Sequence, residues 1–448
     1  MLELHGNPKT ASNGPGLLSL PTDILRIIVE EVYSQDPKSF KKFGLVAKTC
    51  RRETEYRLFR TVQLYDTSET AAKQTHQLLD RFCHDEDFLC SHIRDLKIGP
   101  LLSKQEFTDV TRVLQKTLQH FTNIQSLTWH NEFHIPEELL NEFHAKFPLA
   151  RINVNQSDRI DSPIDQALLS SPQLHSLEIK LLYTKNGPVT TSGELPILKQ
   201  CLIKGQSLKM LDCTANTIRA QRKSFREQVK DERLPLSFDW KAEDCFPALE
   251  ELRIAARDFD LSAEQCDIWA KCMDWGKIRR LDIVTRDLSH ILKSLSGKVP
   301  HLESLALGVV KHGHFGHQGL GLPQLSVVES FFSSAESLKE LRFHTAGHDS
   351  YVEAWEHILS QCGSRLERLD LKSHSYMSMI SAREQCVALL GQAPTLVYFK
   401  AIIGDHEFEC KWKDDALDLP PTQKFGYRKE ISKRPFFVRE DGLDLRGM

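Results

Sequence analysis

The sequence predicts an α/β solenoid, with short parallel strands side by side, helices on the outside and a small helical module in front. Three observations predict it. A short apolar pattern recurs along most of the chain, amphipathic segments of helical length separate its copies, and residues 17 to 64 lack it.

The pattern is apolar-x-x-apolar-x-apolar. It appears as Ile93/Leu96/Ile98, Ile124/Leu127/Trp129, Leu149/Ile152/Val154, Leu174/Leu177/Ile179, Leu208/Leu211/Cys213 and Leu249/Leu252/Ile254. It continues as Ile278/Leu281/Ile283, Leu302/Leu305/Leu307, Leu338/Leu341/Phe343, Leu366/Leu369/Leu371 and Leu396/Phe399/Ala401. One copy says little, since any half-buried strand alternates. Eleven copies, 24 to 41 residues apart, define a repeat.

The last two apolar positions of each copy are two residues apart, so they face one side of a strand. The first position turns the chain into it. Segments such as Leu325 to Ser334 and Val352 to Ser360 supply the helices between copies. No single unit can bury its own apolar face. Stacked neighbours can, with about 1.5–3 kcal/mol for each large aliphatic side chain fully buried. The longest interval holds a polar stretch, Thr217 to Lys230, expected to protrude as a helix or loop, with Phe238 and Trp240 packing back.

Over about residues 90 to 404 this resembles a leucine-rich-repeat array, here irregular and degenerate, since the spacing wanders and the Asn/Cys after the strand is not regular. Ordinary strands of an α/β enzyme are the other reading of the pattern.

Residues 17 to 64 read differently. Pro21 stands at a helix start, where a missing N–H and a fixed φ cost least. Thr22 to Val32 follows, with Ile24, Ile28 and Val32 on one face and Leu25 beside them. Asp36-Pro37 marks a second start, as an N-cap acid before Pro at the first helical position. Phe40, Phe43 and Ala47 line that helix; Tyr56, Leu58 and Phe59 sit on a third, from Arg51. An extended Thr61-Val62-Gln63-Leu64 closes the module. Three short helices make a small core, which gains from a partner over its leftover apolar face. A helical cap on the solenoid is the plainer alternative.

The residues Leu20-Pro21 with Ile24, Leu25 and Ile28, followed by Leu45-Val46-Ala47-Lys48-Thr49-Cys50-Arg51, resemble an F-box. No Trp falls in this module, where many F-boxes carry one beyond the position of Cys50. Helices of this kind followed at once by repeats resemble fungal F-box proteins with degenerate leucine-rich repeats. The resemblance implies docking onto the Skp adaptor, and through it cullin, by Leu20, Pro21, Ile24, Leu25 and Ile28. Leu45, Val46 and Cys50 would join the same apolar surface or the packing beneath it.

Residues flanking the buried pair of each strand face the other side of the sheet. They read Glu251 and Arg253, Arg280 and Asp282, a neutral Ser304 and Ala306, Glu340 and Arg342, then Arg368 and Asp370. In register, strands about 4.8 Å apart would set Glu251 against Arg280, Arg253 against Asp282, Glu340 against Arg368 and Arg342 against Asp370. The plainer reading is a ladder that fixes register, with each exposed pair contributing about 0–1 kcal/mol. The functional reading is a recognition strip for a protein target, using Arg253, Arg280, Asp282, Ser304, Arg342 and Asp370.

Composition excludes other classes. Of 448 residues, 40% are hydrophobic and 27% charged, as in ordinary globular chains. A formal charge of −3 offers no basic surface for nucleic acid. No run of 18 apolar residues predicts a membrane span, and residues 1 to 16 read as a loose tail rather than a signal peptide. Eleven widely spaced cysteines without a Cys-x-x-Cys suit neither a disulfide framework nor a zinc knuckle, and point to a reduced cytoplasmic or nuclear setting. The Asn155-Gln156-Ser157 sequon reads as chance in such a setting. Histidines 312, 314 and 317 have no Cys or acid beside them; with 344 and 348 one repeat later, they read as a solvated loop rather than a metal site. No phosphate loop, nucleophile elbow or zinc-protease motif occurs, so neither catalysis nor a cofactor is expected.

The sequence therefore predicts a tail (1–16), an F-box-like module (17–64), a repeat solenoid (65–404) and a C-terminal cap or tail (405–448). The expected function is substrate recognition for a Skp–cullin–F-box ubiquitin ligase, with a repeat scaffold lacking any ligase role as the first alternative and an unrecognised enzyme with a deep pocket as the second.

Overall fold

The computed structural model describes the chain outside residues 1–16, 67, 85–88, 102, 160–161, 187–188, 192–193, 218–233, 236–239, 256–258, 261, 286, 310–323, 346–350, 374–377, 405 and 412–448. The predicted excursion beyond Thr217, to residue 230, together with Phe238, the His312/His314/His317 group, His348 and most of the C-terminal segment, lies outside the described residues. The chain divides into two compact units, 1–155 and 156–448. Both are α/β, with parallel strands and intervening helices.

The first unit opens with α1 (Thr22–Gln35), α2 (Pro37–Phe43) and α3 (Lys48–Leu58). Asp36 caps α2 as its sequence demands, accepting from the Lys38 and Ser39 amides at 3.0 and 3.2 Å. Next come β1 (Thr61–Asp66), α4 (Glu69–His84), α5 (Leu89–His92), β2 (Asp95–Leu101), α6 (Lys104–Thr117), β3 (Ser126–Trp129), α7 (Glu137–Lys146) and β4 (Arg151–Gln156). β1 to β4 pair in parallel and in order. The repeat begins one strand earlier than expected: Phe59/Val62/Leu64 also fits the apolar pattern, and Val62 and Leu64 are buried and pair with Leu96 and Ile98.

The second unit contains α8 (Gln166–Leu169), β5 (Leu174–Asn186), β6 (Val189–Thr191), α9 (Glu194–Lys204), β7 (Met210–Thr217), β8 (Leu234–Pro235), β9 (Glu251–Ala255), β10 (Phe259–Asp260) and α10 (Ala263–Cys272). It goes on with β11 (Arg280–Thr285), α11 (Ser289–Leu295), β12 (Ser304–Val309), α12 (Leu325–Ser334), β13 (Glu340–Thr345), α13 (Tyr351–Cys362), β14 (Arg368–Ser373), α14 (Met379–Gly391), β15 (Tyr398–Ile403) and β16 (His406–Lys411). β5, β7, β9 and β11 to β15 form one parallel run in chain order, and β16 turns back antiparallel on β15. α10 to α14 touch one another in the same order.

Burial follows the repeat. Each position of the predicted triplets is buried except Leu149, which is 95% exposed; Phe147 and Ala150 enter the core beside it. The pattern at that copy misplaces the turn into β4, where Ala150 bonds back to Phe147. Trp240 packs back as predicted and lies edge-on to Phe246 with 4.3 Å between centroids. All eleven cysteines are free.

A second regularity precedes the strands of this unit. The amides of Lys209, Glu250, Arg279, Glu303, Lys339, Glu367 and Val397 each bond to the carbonyl of the preceding rung's residue, at 2.7–2.9 Å. Six of these residues alternate strictly in charge along the row, from Lys209 to Glu367. Lys209–Glu250, Arg279–Glu303 and Lys339–Glu367 close at 3.6, 3.5 and 3.3 Å. These pairs are exposed, so they select register more than they add stability.

Candidate protein-interaction surfaces

The first candidate is the apolar surface of the leading helices. α1 carries apolar residues around most of its circumference, so only packing decides which stripe is inside. Leu25 and Val29 are buried at 1% and 2%, with Phe40 and Cys50. Glu53 is buried too and accepts from Arg26 at 2.8 Å, which holds that guanidinium above its ordinary value. Arg57 bonds Glu30 at 2.6 Å and stacks on Tyr33, whose ring meets Phe40 edge-on. α1 is thereby clamped to α2 and α3.

What remains outside is apolar. Ile24 is 44% exposed, Ile27 64%, Leu45 85% and Val46 65%. Pro21 is exposed, while Leu20 and Ile28 are half-buried. The expected docking set is therefore divided. Ile24, Leu45, Val46 and Pro21 are on the surface, whereas Leu25 and Cys50 belong to the helix core and have no side chain left to offer a partner. Ile27 was missed by the sequence reading. It stands three residues after Ile24 and so shares its face, a spacing that marked it out in advance.

The second candidate is the open face of the sheet in the second unit. Its register is the one expected: Arg280 faces Glu251, Asp282 faces Arg253, Arg368 faces Glu340 and Asp370 faces Arg342. Arg253 bridges two rungs, reaching Asp212 at 3.2 Å and Asp282 at 3.1 Å. Arg280 meets Glu251 at 3.4 Å, and the Ser304 hydroxyl donates to Glu340 at 3.1 Å. Asp212, only 2% exposed, was missed because Cys213 beside it took the repeat position.

The electrostatics follow from depth. Burial pushes the Asp282 carboxyl up, against the pull of Arg253 and Arg342. Burial does the same to Asp370, although Lys400, Arg342, Arg368 and Lys372 face it. His344 is pushed down to about 4, first by burial and then by Lys372, Arg342 and Lys400. Burial also works against the charge of Arg253, but Asp212, Asp282 and Glu178 outweigh it and leave its value raised. A shallow groove of about 340 Å³ runs along this face, lined by Asp212, Arg253, Arg280, Asp282, Ala306 and Arg342 among others.

No group of three His, Cys, Asp or Glu that could hold a metal ion occurs among the described residues. Among them, too, no helix is long and apolar enough to cross a membrane.

No family model matches the chain, and no curated protein matches it. Among solved structures, a crystal structure of a protein from Bacteroides fragilis aligns over 76% of this chain and 67% of its own length, at 13% identity and a TM-score of 0.24. At that score the likeness carries no argument.

Proposed function

We propose that the chain is the substrate-recognition adaptor of a Skp–cullin–F-box ubiquitin ligase, with an F-box in its leading helices and irregular leucine-rich repeats behind them. The reading rests on one observation: Ile24, Ile27, Leu45 and Val46 stand exposed on a module whose core is already filled by Leu25, Val29, Phe40 and Cys50. Large aliphatic side chains left in water beside a complete core mark a protein-contact surface. The Skp adaptor is the partner that the F-box resemblance names, and cullin follows through it. The open sheet face of the repeats then holds the target, and the chain would act in the cytoplasm or nucleus, where such ligases work. Catalysis belongs to the assembled ligase.

The test is co-purification of the full chain with a Skp-family adaptor. Ile24→Asp combined with Leu45→Asp should abolish capture while circular dichroism and melting stay unchanged. No capture by the native chain, or capture that survives the double substitution, overturns the reading. A repeat scaffold with no ligase role is the second reading. The strict charge alternation from Lys209 to Glu367 favours it, since that row is accounted for by register alone.

A further inference from the structure

The charges of the second unit do not run evenly across the sheet. In the row just before the strands they alternate without a break from Lys209 to Glu367, Glu303 included. One residue further on the row reads Ser176, Met210, Glu251, Arg280, Ser304, Glu340, Arg368, Tyr398, and two residues beyond that Glu178, Asp212, Arg253, Asp282, Ala306, Arg342, Asp370, Lys400. Between β9 and β14 both inner rows are charged at every rung except β12. Both also change phase there: past Ala306 comes a cation where continued alternation would place an anion. A device that served register alone would continue through β12, as the outer row does.

The break leaves one group over. Asp212 and Asp282 share Arg253, Glu251 holds Arg280, Glu340 accepts from Ser304, and Arg368 stacks on the Tyr398 ring at 4.5 Å. Among the described residues Arg342 has no hydrogen bond and no ion pair. Its rung neighbours are Asp370 on one side and the methyl of Ala306 on the other. Asp282 lies two strands away, about 9.6 Å at the usual spacing. Ala306 thus forms a notch beside a half-buried guanidinium, inside the groove of about 340 Å³.

We propose that this notch receives an acidic side chain of the partner polypeptide, with its carboxylate on Arg342 and its stem over Ala306. This rests on the reading of the sheet face as the target-binding surface and names the chemistry it selects. A guanidinium fork matches a carboxylate in two parallel hydrogen bonds. Charge complementarity also favours a monoanion over a phosphate: Asp282, Glu340 and Asp370 ring the site, so a dianion would meet about twice the repulsion from each of them.

The test is a random-peptide display library selected on the full chain, followed by affinity measurement on single synthetic peptides. The expected result is enrichment of peptides containing Asp or Glu. Changing that acid to its amide, or Arg342 to Ala, should weaken binding about tenfold to a hundredfold. Arg342→Glu and Ala306→Trp should abolish it, the second by filling the notch on an open face where folding is not at stake. Arg342→Ala should leave the melting temperature unchanged. The proposal is overturned if no peptide enriches, if enriched peptides lack an essential acid, or if acidic peptides bind Arg342→Glu as well as the native chain. Tighter binding after replacement of the acid by phosphoserine would overturn the choice of a carboxylate. Because the readout does not involve the leading helices, loss of peptide binding with intact adaptor capture defeats this inference alone. The converse result defeats the ligase reading.

Discussion

Arg159 and Glu194 meet through two parallel contacts of 2.7 Å, with the Arg159 side chain closed off from solvent. The same guanidinium donates to the carbonyls of Ser162 and Lys180, and the Leu182 amide donates to Glu194. One ion pair therefore ties the segment before α8, the strand β5 and the start of α9. Removing one member of a buried pair leaves the other charged and unpartnered, at a cost of about 3–5 kcal/mol. Glu194→Ala is expected to lower the unfolding free energy by that amount in urea titration, and Glu194→Gln by less, since the amide oxygen still accepts.

Neighbouring residues of α1 should answer oppositely to substitution. Leu25→Ala removes a core side chain and should cost about 2–5 kcal/mol. Ile27→Asp changes a side chain that is 64% exposed and should stay within about 0.5 kcal/mol of the native chain. Thermal melts of the two variants decide the matter, and equal losses would mean that the exposed face of α1 is not free.

The contrast shows where the sequence was legible. Strand positions were readable because a period of two leaves only two faces, and Leu252 and Ile254 could not both be buried unless Glu251 and Arg253 were turned away. The inner charge rows followed from that register. α1 gave no such choice. Ile24, Leu25, Ile27, Ile28, Val29 and Val32 cover most of the helix, so the buried stripe is set by what α2 and α3 present, Phe40 and Cys50 above all. The pair Arg159–Glu194 was invisible for another reason: its members lie 35 residues apart, and no local pattern joins them.

His344 makes stability depend on pH. It faces Arg342 on its own strand, Asp370 and Lys372 on β14, and Lys400 on β15. Its folded value of about 4 lies below the ordinary 6.5, so between these limits the unfolded chain binds the proton and the native chain does not. The stabilising effect of the neutral imidazole is complete above about pH 6.5 and is lost as the pH falls toward 4. The difference between the native chain and His344→Gln should shift by about 2–4 kcal/mol across that window. Asp282 and Asp370 act in the opposite sense, because their raised values favour proton uptake by the native chain, and they cancel in the comparison. A pH-independent difference would show that His344 is not buried as described.

Gly363 holds a close approach between successive repeats. A Cβ there would collide with the Gln392 carbonyl oxygen and stand 3.0 Å from its carbon. Both are backbone atoms, so no rotamer relieves the clash. Gly363→Ala should cost about 1–3 kcal/mol, measured by urea unfolding.

The alternating row from Lys209 to Glu367 also bears on how such an array can change length. Excision of a single repeat would bring two residues of like sign side by side, with a penalty of about 0.2–1 kcal/mol for the mismatched neighbours. Excision or duplication of two adjacent repeats keeps the order of signs intact. Growth and shrinkage in even steps is thus written into the outer row, and chimaeras that graft rungs between such proteins should respect parity as well as apolar spacing.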